Sequence, residues 1–401
     1  MITMLEGNNI MDKKVELKAQ DQEWLGQVID KICDKMSWVS EKSKNKIPYT
    51  TIDGLHTDRR DNPSGNSADG LCWWTNGFWA GMMWQLYYET KDQKYADIAV
   101  LSEEWMDQCF LDYEGLHHDV GFMWLPSAVT NYKLTGNAYS RTRGMHAANL
   151  LAGRFNLNGR FIRAWNGLGS DTTDTRGWAI IDCMFNIPLL YWASEESGDP
   201  RFKQIAMAHA DKVMDNFIRP DGSSEHIVEF DTETGEKLKT YGGQGYCDGS
   251  SWTRGQSWAL YGFMMSYIHT KEQRYLDTAK RVGNYFIANI PDSGLIPVDF
   301  RQPEACQRED STAAAIAACG LIELAKAVPE IEQSLYLKAA VKILKVLEAG
   351  RTDWSTDEDS IVQNCNNAYH NLNEDHVSII YGDYYFIEAI FKLKGDDLYI
   401  W

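Results

Sequence analysis

A helical unit recurs along this chain, and that recurrence limits the folds open to it more than any single residue does. Each copy is an apolar, aromatic segment, a short turn, and then a more polar amphipathic segment. The complete copies are "GFWAGMMWQLYYETKDQKYADIA" (77–99), "GFMWLPSAVTNYKLTGNAYSRTR" (121–143), "GWAIIDCMFNIPLLYWASEESGDPRFKQIA" (177–206), "GQSWALYGFMMSYIHTKEQRYLDTA" (255–279) and "STAAAIAACGLIELAKAVPEIEQSLYLKAA" (311–340). A sixth, "YGDYYFIEAIFKLKGDD" (381–397), has no room for its second half. That half is supplied by "DQEWLGQVIDKICDKMSWVSEKS" (21–43), an amphipathic segment with no apolar partner before it. Helices apolar on every face are buried, and amphipathic ones face water. Six inner and six outer helices therefore close into an all-α (α/α)6 barrel, a six-hairpin toroid whose two chain ends share one pair. An open helical solenoid is the competing arrangement.

Length alone allows two or three domains, but no Pro- or Gly-rich linker divides the chain. Residues 21–401 therefore read as a single barrel domain. Residues 1–20 read as an N-terminal extension, with Met11 a candidate natural start and the first ten residues a foreign leader. Strand-like segments are few; "SEHIVEFDTETGEKLKT" (224–240) predicts a hairpin turning at Glu233–Gly235. Three long loops, "TDRRDNPSGNSADGLCWWTN", "RAWNGLGSDTTDTR" and "TYGGQGYCDGSSWTR", each precede an inner helix, so they gather at one mouth. Loops longer than about 12 residues in a compact domain are usually functional.

The net charge of −18 argues against nucleic acid and anionic membranes as partners. It leaves open a small anionic substrate, because a pocket's local field can oppose the net charge. No apolar run approaches transmembrane length, and the N-terminus has no signal pattern. Eight cysteines without CxxC pairs fit reduced thiols in a cytoplasm better than disulfides or zinc. Monomer and homodimer are equally compatible with the sequence.

Chemistry concentrates in a few positions. Asp119, in "GLHHDVGFMWLP", opens the second inner helix, where an aspartate can act as an N-cap. Asp182 is expected inside an apolar inner helix, where an ionised carboxylate is costly unless paired. Burial would raise its pKa and let it donate a proton near neutrality. Two carboxyl groups at one mouth are the usual equipment of glycoside cleavage. A metal held by His117, His118 and Asp119 is a weak alternative, since adjacent residues rarely ligate one ion and no HExxH is present. No metal or organic cofactor is expected. Arg254 and Trp258 lie four apart on one helical face, suited to a carboxylate-bearing sugar. The competing reading is an inner-helix salt bridge plus a core tryptophan. No phosphate loop, Rossmann fingerprint or G-x-S-x-G elbow occurs.

"LHHDVGFMW", "RGWAIIDCMFNIPLLYWA", "TRGQSWALYGF" and "YGDYYFIEAI" together resemble the unsaturated glucuronyl hydrolases of glycoside hydrolase family 88. The resemblance runs from about residue 20 to 395. It implies the (α/α)6 barrel again, and removal of a 4,5-unsaturated uronic acid from the non-reducing end of lyase-generated glycosaminoglycan oligosaccharides. The C4=C5 enol ether is hydrated, and the resulting hemiketal collapses, releases the next sugar and opens to a keto acid. By the same resemblance Asp182 is the proton donor that also helps activate water, and Asp119 holds the uronate hydroxyls and modulates Asp182. His118, Trp74, Trp165, His226, Gln244, Arg254 and Trp258 fall where the family has binding residues; Trp73 is the neighbour that makes Trp74 ambiguous. Family members acting on sulfated fragments are expected to carry a Ser- and Lys-containing loop before the last inner helix. Here the loop reads "NCNNAYHNLNEDHVSIIYGDYY", offering Asn366, Asn367 and His370 as donors but little positive charge. That departure predicts a leaning to unsulfated chondroitin or hyaluronan fragments, or to gellan- and heparin-derived ones. Rival assignments are a rhamnogalacturonyl hydrolase acting on pectin fragments, a sugar 2-epimerase on the same barrel, and a non-catalytic sugar-binding scaffold.

Overall fold

The structure is a computed structural model that describes residues 14–62, 64–169, 173–395 and 398–401. The leader and the candidate start at Met11 lie outside them. Helix α1 (Ala19–Ser43) is amphipathic and precedes five helical hairpins. These are α2 (Asn76–Thr90) with α3 (Gln93–Trp105), then, after the single turn α4 (Gln108–Leu111), α5 (Val120–Trp124) and α6 (Thr130–Thr135) with α7 (Ala138–Gly153). The series continues with α8 (Pro188–Ser197) and α9 (Pro200–Phe217), α10 (Thr253–Thr270) and α11 (Gln273–Ala288), and α12 (Ser311–Ala327) and α13 (Glu330–Gly350). The last helix, α14 (Ile380–Lys394), packs against α1 and completes the sixth pair. The (α/α)6 barrel thus closes as the repeat count requires.

Inner helices are buried on every side: each residue of α12 from Ser311 to Lys326 is inaccessible, and α14 is buried from Ile380 to Leu393. Outer helices bury one stripe only, as α9 does with Phe202, Ala206, Ala210 and Val213. The turns between partners are short because four of the five inner helices that lead into an outer one stop on a left-handed residue, Lys91, Gly136, Gly198 or Lys271. In three of these turns the next residue caps the outer helix: Asp92 accepts from Lys94 N–H at 3.1 Å, Asn137 from Tyr139 N–H at 2.9 Å, and Asp199 from Arg201 N–H at 3.0 Å.

Two inner segments depart from regular helix. In the second, Pro126 lacks an N–H, and its ring would collide with the carbonyl one turn back. The chain widens there into a π turn over Leu125–Val129, with Thr130 Oγ1 donating to the Leu125 carbonyl at 2.8 Å. In the third, the stretch expected to be helical from Gly177 is not. Strand β1 (Trp178–Ile180), a 3-10 turn (Ile181–Phe185) and then α8 replace it. Trp178–Ile180 pairs antiparallel with β2 (Ile227–Phe230), and helix becomes regular only once Pro188 occupies its first turn.

β2 continues into β3 (Lys237–Tyr241), giving a three-stranded sheet in the order β1-β2-β3. The connection is the expected turn: Asp231 Oδ1 accepts from the N–H groups of Glu233 and Thr234, and Gly235 has φ +75°. Three two-stranded ribbons, 51–56, 155–162 and 365–377, complete the strands among the described residues.

Candidate active site

The loops before the inner helices meet around a cavity of about 290 Å³. Asp119, Asp182, Trp74, Trp165, Gln244, Arg254 and Trp258 all line it, so seven of the nine residues singled out from sequence come together. Both members of the tryptophan doublet reach it, since Trp73 lines it beside Trp74. The other two, His118 and His226, sit one layer behind the wall. His118 is wholly buried, with Nε2 3.5 Å from Asp119 Oδ1 and 3.6 Å from Asp182 Oδ1. His226 lies against Trp252 at 4.1 Å between rings, and its Nδ1 lies 3.1 Å from the donating N–H of Gln244. It therefore shapes the glutamine's loop from behind.

Asp119 occupies the position before α5, yet its side chain caps nothing. Its carboxylate is turned instead to Asn186 Nδ2 (3.1 Å), His117 Nδ1 (3.1 Å) and His118. Burial pushes its pKa up, but the two histidines and the Asn186 amide outweigh that, and the net shift is downward. Asp182 stands in the 3-10 turn, not inside a helix, and its Oδ1 has no hydrogen-bond partner. Burial first, and then the charge of Asp119, raises its pKa well above the ordinary carboxylate range, against a smaller opposing pull from Arg254. Between them His118 is held neutral: burial lowers its pKa to about 4, despite the nearby Asp119.

Asn186 was not foreseen from sequence, although it lies four residues after Asp182 in an otherwise apolar run. Its Oδ1 accepts the Phe122 N–H at 2.8 Å, while Nδ2 donates to Asp119 Oδ1 and, at 3.3 Å, to the Asp182 carbonyl. One buried amide thus ties both carboxyl-bearing segments together. Gly121 permits the approach: a Cβ there would meet the Asn186 Cα and carbonyl oxygen at 2.5 Å.

Arg254 and Trp258 share the cavity wall, as their spacing implied, but they are not partners. The guanidinium faces Trp252 at 4.5 Å and Tyr381 at 5.6 Å. It is also salt-bridged to Asp310 at 2.5 Å and donates to the Asn366 and Asn367 carbonyls. Trp258 is 1% exposed and packs on Phe122 and Phe185. The salt bridge and core tryptophan of the competing reading are therefore both present, at the edge of the cavity. Trp252, which lines it too, had no local sequence signal, and Asn367, read from sequence as a sulfate donor, also reaches it.

The donors expected to await a sulfate at the last loop are already engaged. Asn366 Nδ2 donates to Asp375 at 2.7 Å, Asn367 to Glu374, and His370 Nε2 lies 2.8 Å from the Tyr246 carbonyl. Two carboxylates hold this rim together, which makes it unsuited to an anion. His117, His118 and Asp119 each bring a ligand atom within 4.8 Å of the others. Asp119 Oδ1 is committed to Asn186, and nothing in the carboxyl chemistry calls on an ion.

Two carboxyl groups with opposed ionisation, in an aromatic-walled pocket at the mouth of an (α/α)6 barrel, define a saccharide-cleaving enzyme. The chain belongs to Glycosyl Hydrolase Family 88, whose family model matches residues 29–385. It is 35% identical over 329 residues to the unsaturated glucuronyl hydrolase of Bacillus sp. (strain GL1), covering 80% of this chain and 86% of that one. It is 33% identical over 393 residues to the unsaturated chondroitin disaccharide hydrolase of Streptococcus pneumoniae, covering 96% of each. The crystal structure of the Bacillus sp. GL1 unsaturated glucuronyl hydrolase superposes with a TM-score of 0.85 at 31% identity, over 92% of this chain and 97% of that one.

Proposed function

We propose that this glycoside hydrolase removes a 4,5-unsaturated uronic acid from the non-reducing end of lyase-generated glycosaminoglycan oligosaccharides. The observation that carries the proposal is the pair of unlike carboxyl groups flanking neutral His118: Asp182 favours its protonated form and Asp119 its charged form. Enol ethers are protonated at carbon, so the reaction needs a proton donor, an oriented water and little else.

Asp182 gives its proton to C4 of the unsaturated ring. Water adds to C5, and the resulting Asp182 carboxylate takes up the proton that the water releases. The C5 hemiketal opens, which leaves C1 a hemiacetal that expels the next sugar as an alcohol and ends as an aldehyde. Asp119, held by Asn186 and His117, accepts hydroxyl hydrogens of the uronate and keeps Asp182 protonated by its charge. Trp74 and Trp165 supply flat walls for the sugar faces. Gln244 and Arg254 complete the polar rim, with Trp258 beneath them, and His226 sets the position of the Gln244 loop. Since bond cleavage is not a displacement at the anomeric carbon, carboxyl separation does not predict retention or inversion here. A carboxyl pair with opposed ionisation, and not a histidine acid–base pair, favours hydration over 2-epimerisation.

The same reading makes residues 21–401 one catalytic unit. It also places the enzyme in the cytoplasm, in keeping with eight free cysteines. No helix among the described residues is long and apolar enough to cross a membrane.

Incubation with unsaturated chondroitin, hyaluronan, heparin and pectin disaccharides, followed by the ultraviolet absorbance of the conjugated double bond, tests the proposal. Absorbance falls with the glycosaminoglycan substrates, and Asp182→Asn slows that fall by about 10²–10⁴-fold with unchanged circular dichroism. Steady absorbance with all the disaccharides overturns the reading.

A further inference from the structure

A second, larger cavity of about 590 Å³ opens beside the first. His117 lines both, and Trp165, which walls the carboxyl pocket, is followed by Asn166, which lines the neighbour. Its sides are the end of α7, the ribbon at 155–162 and the loop that carries Trp165.

The charge here is inverted relative to the rest of the chain. Acidic residues outnumber basic ones 57 to 39 overall, yet this cavity is lined by Arg154, Arg163 and Arg176 against the single carboxylate of Glu233. Arg176 is salt-bridged to Asp174 at the surface, where such a pair exchanges readily. Arg154 and Arg163 form no ion pair among the described residues.

The two unpaired arginines differ in what they have left to give. Arg154 donates to the carbonyls of Arg163, Ala164 and Trp165 and to Asn166 Oδ1, so it builds the loop. Arg163 spends one of its five N–H donors, on the Gly167 carbonyl, and its Nε is buried without a partner. Burial first, and then the proximity of Arg163, lower the Arg154 pKa to about 10, while Asp174 acts on Arg163 without pairing with it. A half-buried guanidinium with spare donors matches the planar oxygens of a carboxylate or sulfate.

We infer that this cavity is an anion-binding subsite for the leaving saccharide, in which Arg163 takes a sulfate on the sugar next to the unsaturated uronate or the carboxylate of the uronate beyond that sugar. The inference rests on the proposed hydrolysis. It also places anion recognition in a cavity that no residue of the acidic 364–376 loop lines.

Three substrates separate the possibilities: the unsulfated unsaturated chondroitin disaccharide, its form sulfated at O6 of the hexosamine, and the unsulfated tetrasaccharide with an internal uronate. In the wild type, kcat/KM is higher for the sulfated disaccharide or for the tetrasaccharide than for the unsulfated disaccharide. Arg163→Gln lowers that ratio about tenfold, the worth of one charge-assisted pair. Arg163→Lys, which keeps the charge and loses the fork, lowers it less. A response confined to the sulfated disaccharide identifies sulfate as the ligand, and one confined to the tetrasaccharide identifies the uronate. A ratio unmoved by Arg163→Gln, or an equal loss on all three substrates, overturns the subsite.

Calorimetric titration of the O6-sulfated disaccharide and the tetrasaccharide into Asp182→Asn, and into Asp182→Asn with Arg163→Gln, reads the subsite without turnover. Weaker binding of either by about tenfold in the double variant upholds it even if the hydrolysis reading fails. Equal affinities of both ligands for the two proteins overturn it.

Discussion

Asp119 and Asp182 carry the same functional group and adjoin the same histidine, yet their surroundings drive them in opposite directions. Asp119 is surrounded by donors, from Asn186 and the two histidines, which hold its pKa low. Asp182 is buried with an unpartnered oxygen, and that burial first and its negative neighbour second hold its pKa high. The pH dependence of kcat follows from these signs. Activity is lost as pH falls through the depressed pKa of Asp119, because the charged form is the useful one. It is lost again as pH rises through the raised pKa of Asp182, because there the proton to be donated is gone. Asp119→Asn removes the negative charge that helps keep Asp182 protonated, so the alkaline limb moves to lower pH and kcat falls as well. A pH–rate profile of the residual activity measures this. An alkaline limb that stays in place, or moves upward, would mean that Asp119 does not set the ionisation of Asp182.

At the scale of elements, the site depends on two irregular segments lying side by side: α5 after Asp119, and the 3-10 turn that holds Asp182. Asn186 stitches them together and Gly121 lets them touch. Gly121→Ala puts a methyl into the Asn186 backbone, which has no flexible end to swing away. The two segments separate, at a cost of about 1–3 kcal/mol in stability. The loss in kcat exceeds that in KM, because it is the carboxyl pair that comes apart. Denaturant titration and steady-state kinetics on one preparation test this, and an unchanged kcat would show that the spacing is not critical. The same segments mark the limit of what the sequence discloses. The ring of helices was legible because each inner helix is apolar all round and each outer one is striped. The mouth was legible because long loops recur at one end of the repeat. Asp182 was expected in a helix because Ile180 and Ile181 continue an apolar run; that run pairs with Ile227–Phe230, a partner nearly fifty positions away that periodicity cannot see. Asn186 and Trp252 were missed for a related reason. Their roles arise from contacts across the fold, and nothing near them in the chain distinguishes them from ordinary core or loop residues.

Across the whole molecule, the barrel is open at the mouth and filled beneath it. The filling includes Trp401, 1% exposed, whose Nε1 donates to Glu388 at 2.8 Å and whose ring meets Phe185 at 4.4 Å. Phe185 ends the turn that carries Asp182 and packs in turn on Trp258. The plug is therefore connected to the carboxyl site by direct packing. Trp165, by contrast, is 39% exposed at the rim and rests on Trp178. Removing these two indoles has different consequences. Trp401→Ala leaves a cavity in the barrel axis and a buried Glu388 oxygen without its donor, a loss of about 3–5 kcal/mol. Its denaturation midpoint falls steeply, and kcat falls with it as Phe185 loosens beneath Asp182. Trp165→Ala deletes a surface that meets water in the free enzyme and sugar in the complex, so the midpoint stays within about 0.5 kcal/mol of the wild type while KM rises. Denaturation curves and kinetics on both variants read the contrast. If Trp165→Ala destabilised the protein as much as Trp401→Ala, the rim would belong to the core and the division between a rigid plug and a binding mouth would fail. If Trp401→Ala kept its full kcat, the packing from plug to carboxyl turn would carry no support for catalysis.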